Sequence, residues 1–335
     1  MRCNTFLLVC LLLLATTDLR AQDPMFSQFF AAPQQLNPAL VGLVDAPVLH
    51  FNYRNQWSNI NRAYATYSAA YSQYAPSINS GFGLSVLADV AGDGIYNTTA
   101  FTGTYVYDVR FDDNFYLRTG VEMGMVNKRL NWNKLVFFDQ INPETGAFDA
   151  NGNLNPTEEG AIMSSINYFD VGAGMLLRTR WWYAGASFKH LNQPNEAYYR
   201  QSDVSAQLPV RMTFHAGGEI PLGKHNKARE RAFISPNLLF VKQRQFMQLN
   251  FGAYVSRQNL FGGLFFRHAF GNGDAAIAVV GFSKGVFKLA YSYDLTVSRL
   301  TPASGGTHEL SLVLNFEDKT KKQSQRYNDC TKFFR

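Results

Sequence analysis

The sequence predicts an all-β protein, a transmembrane outer-membrane antiparallel β-barrel of about fourteen strands. Three observations predict it. One short apolar leader stands at the start, and no later segment is long and apolar enough for a membrane helix. Strand-length segments then follow in an even number, apolar on one face only, with connections alternately short and long. The chain also carries 17 Tyr, 28 Phe and 4 Trp, many of them near predicted strand ends.

The leader fixes the compartment. Arg2 supplies a positive start, Phe6 to Leu14 is an almost unbroken apolar run, and Ala21 is a small residue before Gln22 and Asp23, the pattern of a cleaved export signal. A membrane anchor needs roughly 20 apolar residues, and this run is much shorter. Cys10 follows Val9 where a lipoprotein signal carries a small residue, so lipidation is not expected. The expected plan is a signal peptide over 1–21, a separate N-terminal segment over 22–46, a barrel over 47–317 and a basic tail over 318–335.

The N-terminal segment contains Pro24, Pro33 and Pro38 and ends against Pro47. Proline at that density argues against a regular helix or a ladder strand. Three roles are open to it: a plug inside the barrel, a lining of the periplasmic rim, or a passive leader into the first strand.

Strands are expected near 47–57, 62–75, 80–90, 95–109, 113–128, 166–178, 181–190, 208–220, 231–242, 245–256, 259–269, 274–283, 285–297 and 306–317. In 113–128, Phe115, Leu117, Val121, Met123 and Met125 share a face opposite Arg118, Gly120, Glu122 and Gly124. Val210, Met212, Phe214 and Ala216 stand likewise against Arg211, Thr213, His215 and Glu219, and Leu310, Leu312, Leu314 and Phe316 against Glu309, Ser311 and Asn315. One face suits lipid and the other a polar interior. A mean hydropathy of −0.17 fits a barrel and a soluble β-sandwich equally, so aromatic placement decides between them. Tyr105, Tyr107, Phe111, Phe115 and Tyr116 flank one turn, and Trp181, Trp182 and Tyr183 begin another strand, as interfacial girdles do.

Charges at strand centres are costly unless they face water or a partner. Arg118, Glu122, Arg178, Arg211, Glu219 and Arg267 are therefore expected in the lumen, either pairing to hold the barrel closed or lining a substrate path. With both termini periplasmic, the two longest connections, near 129–165 and 191–207, face outward with the Pro/Gly/Ser-rich stretch 298–305. The inner turns are tight except for a basic one at 221–231 with Lys224, His225, Lys227, Arg229 and Arg231. That turn and the tail, with Lys319, Lys321, Lys322, Arg326, Lys332 and Arg335 against Glu317, Asp318 and Asp329, are candidates for docking on an acidic periplasmic partner or anionic headgroups. A merely solvated tail is the plainer reading. Cys330 is the single cysteine beyond the leader, so it is either inert or joined to another chain.

Catalytic patterns are lacking. There is no G-x-S-x-G, H-E-x-x-H or paired C-x-x-C, and the six histidines are scattered, so no enzyme, metal or cofactor is expected. The run from Asp149 to Asn155 begins like a calcium loop, but Leu154 stands where the turn needs Gly and Gly160 where a Glu closes the site; it reads as an Asn-rich exposed turn. Gly81, Gly83, Gly92 and Gly94 open no helix and form no phosphate cradle.

Several stretches carry a resemblance. Gln22-Asp23-Pro24-Met25-Phe26-Ser27-Gln28-Phe29, Leu36-Asn37-Pro38-Ala39-Leu40-Val41-Gly42 and Tyr53-Arg54-Asn55-Gln56-Trp57 come first. Gly81-Phe82-Gly83-Leu84-Ser85-Val86 before Asp89, Lys134-Leu135-Val136-Phe137-Phe138-Asp139-Gln140-Ile141 with Gly146, and His308-Glu309-Leu310-Ser311-Leu312 follow in order. Together they resemble the PorP/SprF family of type IX secretion system and gliding-associated membrane proteins, with Asn37, Pro38, Arg54, Asn55, Gln56, Trp57, Asp139 and Gln140 as signature positions. Leu40-Val41 replaces a frequent Tyr-Ala, and the tail after Phe316 is additional.

The resemblance implies an outer-membrane barrel of, or beside, the type IX export machinery. Its implied partners are periplasmic lipoprotein or ring components and a dedicated secreted cargo, with outer-membrane lipid around it and no nucleic acid. The alternative function is a channel or transporter for small or apolar solutes. A membrane-embedded hydrolase finds no nucleophile and base here.

Overall fold

Alternation of apolar and polar residues builds strands with one face for lipid and one for the interior, and closing them into a ring leaves no edge unpaired. The computed structural model describes residues 23–60, 63–112, 115–149, 151–158, 164–198, 206–222, 232–270, 274–297, 305–317 and 334. Its strands are β1 (Val48–Gln56), β2 (Tyr64–Ala75), β3 (Ser80–Ala91), β4 (Tyr96–Arg110), β5 (Tyr116–Leu130), β6 (Ser165–Arg178), β7 (Trp182–Lys189) and β8 (Arg211–Gly218). There follow β9 (Ile220–Leu222), β10 (Ala232–Gln243), β11 (Phe246–Arg257), β12 (Leu260–Ala269), β13 (Ala275–Lys284), β14 (Phe287–Thr296) and β15 (Thr307–Asn315).

Neighbours pair antiparallel around the ring, and β1 closes it against β15 with Val48 opposite Asn315 and Gln56 opposite Thr307. β8 and β9 are one strand line: Gly217 faces Asn237 and Ile220 faces Ile234 in a single unslipped register along β10. The interruption at Glu219 lies beside Ser235 and Pro236, and Pro236 has no N–H to give to the ladder. The fold is thus the all-β fourteen-strand closed barrel that the sequence predicts. No helix among the described residues is long and apolar enough to cross a membrane.

The faces separate as the pleat requires. Along β5, Arg118, Gly120, Glu122, Gly124 and Val126 are buried while Val121, Met123 and Met125 are exposed. Leu84, Phe101, Leu264 and Val280 are likewise exposed leucine, phenylalanine and valine side chains at strand positions that suit lipid. One barrel end carries the long connections 131–164 and 190–210; the other has short turns such as 76–79, 179–181 and 285–286. The barrel's first and last strand residues, Val48 and Asn315, meet at the short-turn end.

Residues 23–46 are in contact with the inward side of this wall. Helix formation here corrects the expectation from proline density: α1 (Pro33–Leu36) is a single turn and Pro38–Leu40 a 3₁₀ turn. Each begins on proline, whose missing N–H is no loss in a first turn. Phe29, Phe30, Leu36, Leu40 and Val44 form one buried cluster with Tyr183, Leu239, Tyr254, Phe261, Phe265, Ile277 and Val313. Phe30 meets Tyr254 edge-on at 4.9 Å between ring centroids.

Two glycines let the segment approach the wall. A Cβ at Gly120 would stand 2.7 Å from the Ala39 nitrogen, and one at Gly174 would overlap Asn37 Oδ1 with Pro38 Cδ only 3.0 Å away. Gly174→Val therefore forces the segment off the wall. It is expected to destabilise the folded barrel by about 1–3 kcal/mol, as overpacking does, read as a lower temperature for the shift in gel mobility on heating; Val121→Leu on the exposed face leaves that temperature unchanged.

Candidate functional site

Several of the polar residues that alternation buries contact main-chain and side-chain groups of residues 23–44. At the long-loop end, Asp23 Oδ2 lies 2.8 Å from His190 Nε2, 3.2 Å from Gln243 Nε2 and 3.7 Å from Arg211 Nη1. His190 Nδ1 lies 2.9 Å from Asp170 Oδ1. Burial opposes charge on His190, but the carboxylates of Asp170 and Asp23 outweigh it and raise its pKa to about 9. Burial likewise opposes charge on Asp23, and His190 with Arg211 overcomes it to hold the carboxyl well below its ordinary range.

Deeper in, Glu309 accepts two successive backbone N–H groups, Ser27 at 2.7 Å and Gln28 at 2.9 Å. Arg54 pairs with Glu309 and stands 3.4 Å from Asp294, and Arg267 lies 3.0 Å from Asp294. The Ser27 hydroxyl completes the group, donating to Asp294 at 2.5 Å and accepting from Arg54 at 2.9 Å and Arg267 at 3.0 Å. Gln28 donates to Ser292 Oγ at 3.0 Å and accepts from Ser311 at 2.6 Å. Two cations, two anions and the hydroxyl are nearly removed from water, a setting in which loss of one partner strands a buried charge.

Midway, the Ala31 carbonyl is met by His50 Nδ1 and Asn52 Nδ2, each at 3.1 Å, and Ser187 donates to the Leu36 carbonyl at 2.8 Å. Asn37 is fully buried: its Oδ1 accepts from Ala39 N at 2.9 Å, capping the 3₁₀ turn, and its Nδ2 donates to Met175 O at 3.0 Å and Ala186 O at 3.2 Å. His215 Nε2 is 3.0 Å from the same amide. Toward the short-turn end, Arg118 donates to the carbonyls of Val41 at 2.8 Å and Gly42 at 2.9 Å and pairs with Asp108 at 2.5 Å. The backbone N–H of Tyr74 donates to Val44 O at 3.0 Å.

Of the six lumen candidates, Arg118, Arg211 and Arg267 thus meet the N-terminal segment. Glu122 pairs instead with Lys189 at 3.0 Å, Arg178 lies over the Tyr116 ring at 4.9 Å, and Glu219 sits at the β8/β9 interruption with its N–H on Trp181 O at 2.9 Å. Among the signature positions, Arg54, Asn37 and Pro38 belong to the contacts above. Asn55 stays in the β1 ladder opposite Ala65 and His308; Gln56 accepts from Arg54 at 3.1 Å; Trp57 has φ 61° and donates its N–H to Gly306 O at 2.9 Å.

Asp139 and Gln140 are far from this network in sequence and pin the longest connection. Gln140 is buried, accepts from Phe137 N at 2.8 Å and donates to Asn155 O at 2.6 Å. Asp139 accepts from the Thr157 hydroxyl at 2.7 Å and Glu158 N at 2.8 Å, which hold its carboxyl below the ordinary range. Asp149 accepts from the N–H groups of Asn151 and Asn153, so the Asn-rich run is a turn. The docking candidates Lys224, Lys227, Arg229, Arg231, Lys319, Lys321, Lys322, Arg326 and Cys330 lie outside the described residues. Of the tail beyond Glu317, Phe334 is described, buried with its ring edge-on to Tyr183 at 5.4 Å.

Asp23, His190, Asp170 and Asp294 were not legible as members of these clusters. Glu309 stood on a polar strand face, but nothing in its neighbours pointed to Ser27, 282 residues away.

A family model described as type IX secretion system membrane protein PorP/SprF matches residues 19–314. The chain belongs to the PorP/SprF family. This PorP/SprF protein is an outer-membrane β-barrel. Comparison with curated proteins finds no match. Among solved structures it is similar to Omp33 of Acinetobacter baumannii, at 8% identity and TM-score 0.43 over 82% of this chain and 100% of that one. A FadL homologue of Pseudomonas aeruginosa follows at 12% identity and TM-score 0.40, over 84% and 93% of the two chains.

Two outcomes are expected. Glu309→Gln leaves Arg54 without its nearest anion and costs about 3–5 kcal/mol in thermal unfolding, and replacing both Arg54 and Glu309 by Met recovers part of that loss. For pH, a histidine with a raised pKa stabilises fully below its ordinary value of 6.5 and loses that contribution as pH rises through about 9. The protection of the Met25 to Ser27 amides, with exchange corrected for its intrinsic base catalysis, should therefore fall from pH 6.5 to above 9, and His190→Asn should flatten that dependence.

Proposed function

We propose that this PorP/SprF protein is a component or accessory of the type IX secretion system that acts by protein contacts, with its lumen plugged by residues 22–46. The observation that carries the plug is the set of hydrogen bonds to residues 23–44 from nearly every part of the wall, including Glu309, Arg54, His50, Ser187 and Arg118. Fourteen strands leave more interior than wall side chains fill, and this segment takes up that space. The long-loop end faces outward, following the usual asymmetry of outer-membrane barrels.

Cargo meets the outward loops and periplasmic machinery the opposite end. Supporting the first is the connection held by Asp139 and Gln140: Phe138 is 91% exposed on it, near exposed Val136, Ile141 and Phe148. Apolar groups held in water on a pinned loop suit a protein partner. A channel for small or apolar solutes would need residues 22–46 to leave the lumen.

A native detergent pull-down tests the reading, comparing the full chain with one ending after Phe316. Type IX lipoproteins or a single secreted cargo are expected with the full chain, and loss of the lipoproteins on truncation assigns them to the tail. In planar bilayers the full chain is expected to stay closed, with Glu309→Gln raising the frequency of openings. A barrel that purifies alone and conducts steadily would replace the accessory reading with transport.

A further inference from the structure

The N-terminal segment enters the barrel at one end and leaves it at the other. Asp23 meets Gln243 at the end of β10, Arg211 at the start of β8 and His190 just past β7, all at the long-loop end. Ser27 and Gln28 meet Glu309 near the start of β15, and Ala31 meets His50 and Asn52 within β1. Leu36 and Asn37 meet Ser187 and Ala186 in β7. Val41 and Gly42 then meet Arg118 near the short-turn end, Tyr74 N bonds Val44 O, and Phe316 N bonds Pro47 O. A segment that rose from the short-turn end and folded back would have both its ends there; these contacts place Asp23 at the long-loop end and Val44 and Pro47 at the other.

We propose that residues 23–46 thread the barrel in a single pass and connect its two sides, with Asp23 presented at the cell surface and Asp45 at the periplasmic rim. The inference rests on the orientation and plug assigned above. Length allows it: such a segment extended reaches about 80 Å, and the apolar band it crosses is about 25 Å, so the slack is taken up by α1 and the 3₁₀ turn. Both ends are open to probing, since Asp23 is partly exposed and Asp45 exposed. A polypeptide partner bound on the outward loops then touches one end of a peptide whose other end is available to periplasmic proteins.

The test uses the full chain with Cys330→Ser and a polymer-linked maleimide too large for porins. Three cysteine sites are compared: one in a short Gly-Ser insertion before Asp23, Asp45→Cys, and an insertion between Glu144 and Thr145 on the long loop. Labelling of the first and third in intact cells, with Asp45→Cys labelled only after the outer membrane is opened, is the expected result. Loop labelling in intact cells without labelling before Asp23 until the membrane is opened overturns the single pass while leaving the orientation standing. A loop cysteine reached only after opening overturns the orientation and the inference together. Should the insertion itself disturb the segment, Asp23→Cys with Gln243→Cys gives a second readout: a disulfide in the folded barrel supports threading, and its absence overturns it.

Discussion

Glu309 is the group on which the interior depends. Its carboxylate meets Arg54 on the wall and two consecutive N–H groups of the N-terminal segment at once, so one side chain fixes strand charge and segment register together. Neither half stands well alone. A buried guanidinium without an anion is costly, and backbone donors shut away from water need acceptors. Asp294, Arg267 and Ser27 extend the same logic, balancing charge across β12, β14, β15 and β1.

The remainder of the interior follows by fit. Asn37 satisfies its own turn and two strand carbonyls, and it reaches them because Gly120 and Gly174 leave room for the chain to lie against the wall. Phe29 and Phe30 fill a pocket of Tyr254, Phe261 and Phe265, so the segment has an aromatic anchor beside its charged one. Specific hydrogen bonds set the register, while apolar burial supplies the bulk of the driving force.

Much of the barrel was legible because a strand announces itself locally. Arg118 and Glu122 fall on one face and Met123 and Met125 on the other by a period of two, whatever the rest of the chain does. The interruption at Glu219 was not legible, since its cause, Pro236, lies on the next strand. The clusters around Asp23 and Ser27 were hidden for the same reason: partners such as Gln243, Asp294 and Glu309 are brought in by ring closure across most of the chain. Proline density in residues 22–46 argued against a regular helix or a ladder strand, yet Pro33 and Pro38 each start a helical turn, because a proline loses no hydrogen bond at a first helical position.

The pairing of β1 with β15 has a kinetic side. That junction joins the earliest strand of the chain to the latest, so it forms only once everything between has been laid down, a contact of the greatest sequence separation and hence of slow formation. Ser27 and Gln28 bind across it, through Arg54 on β1 and Glu309 on β15. The segment's contacts with both strands therefore staple that junction, holding together the two strands that are furthest apart in the chain.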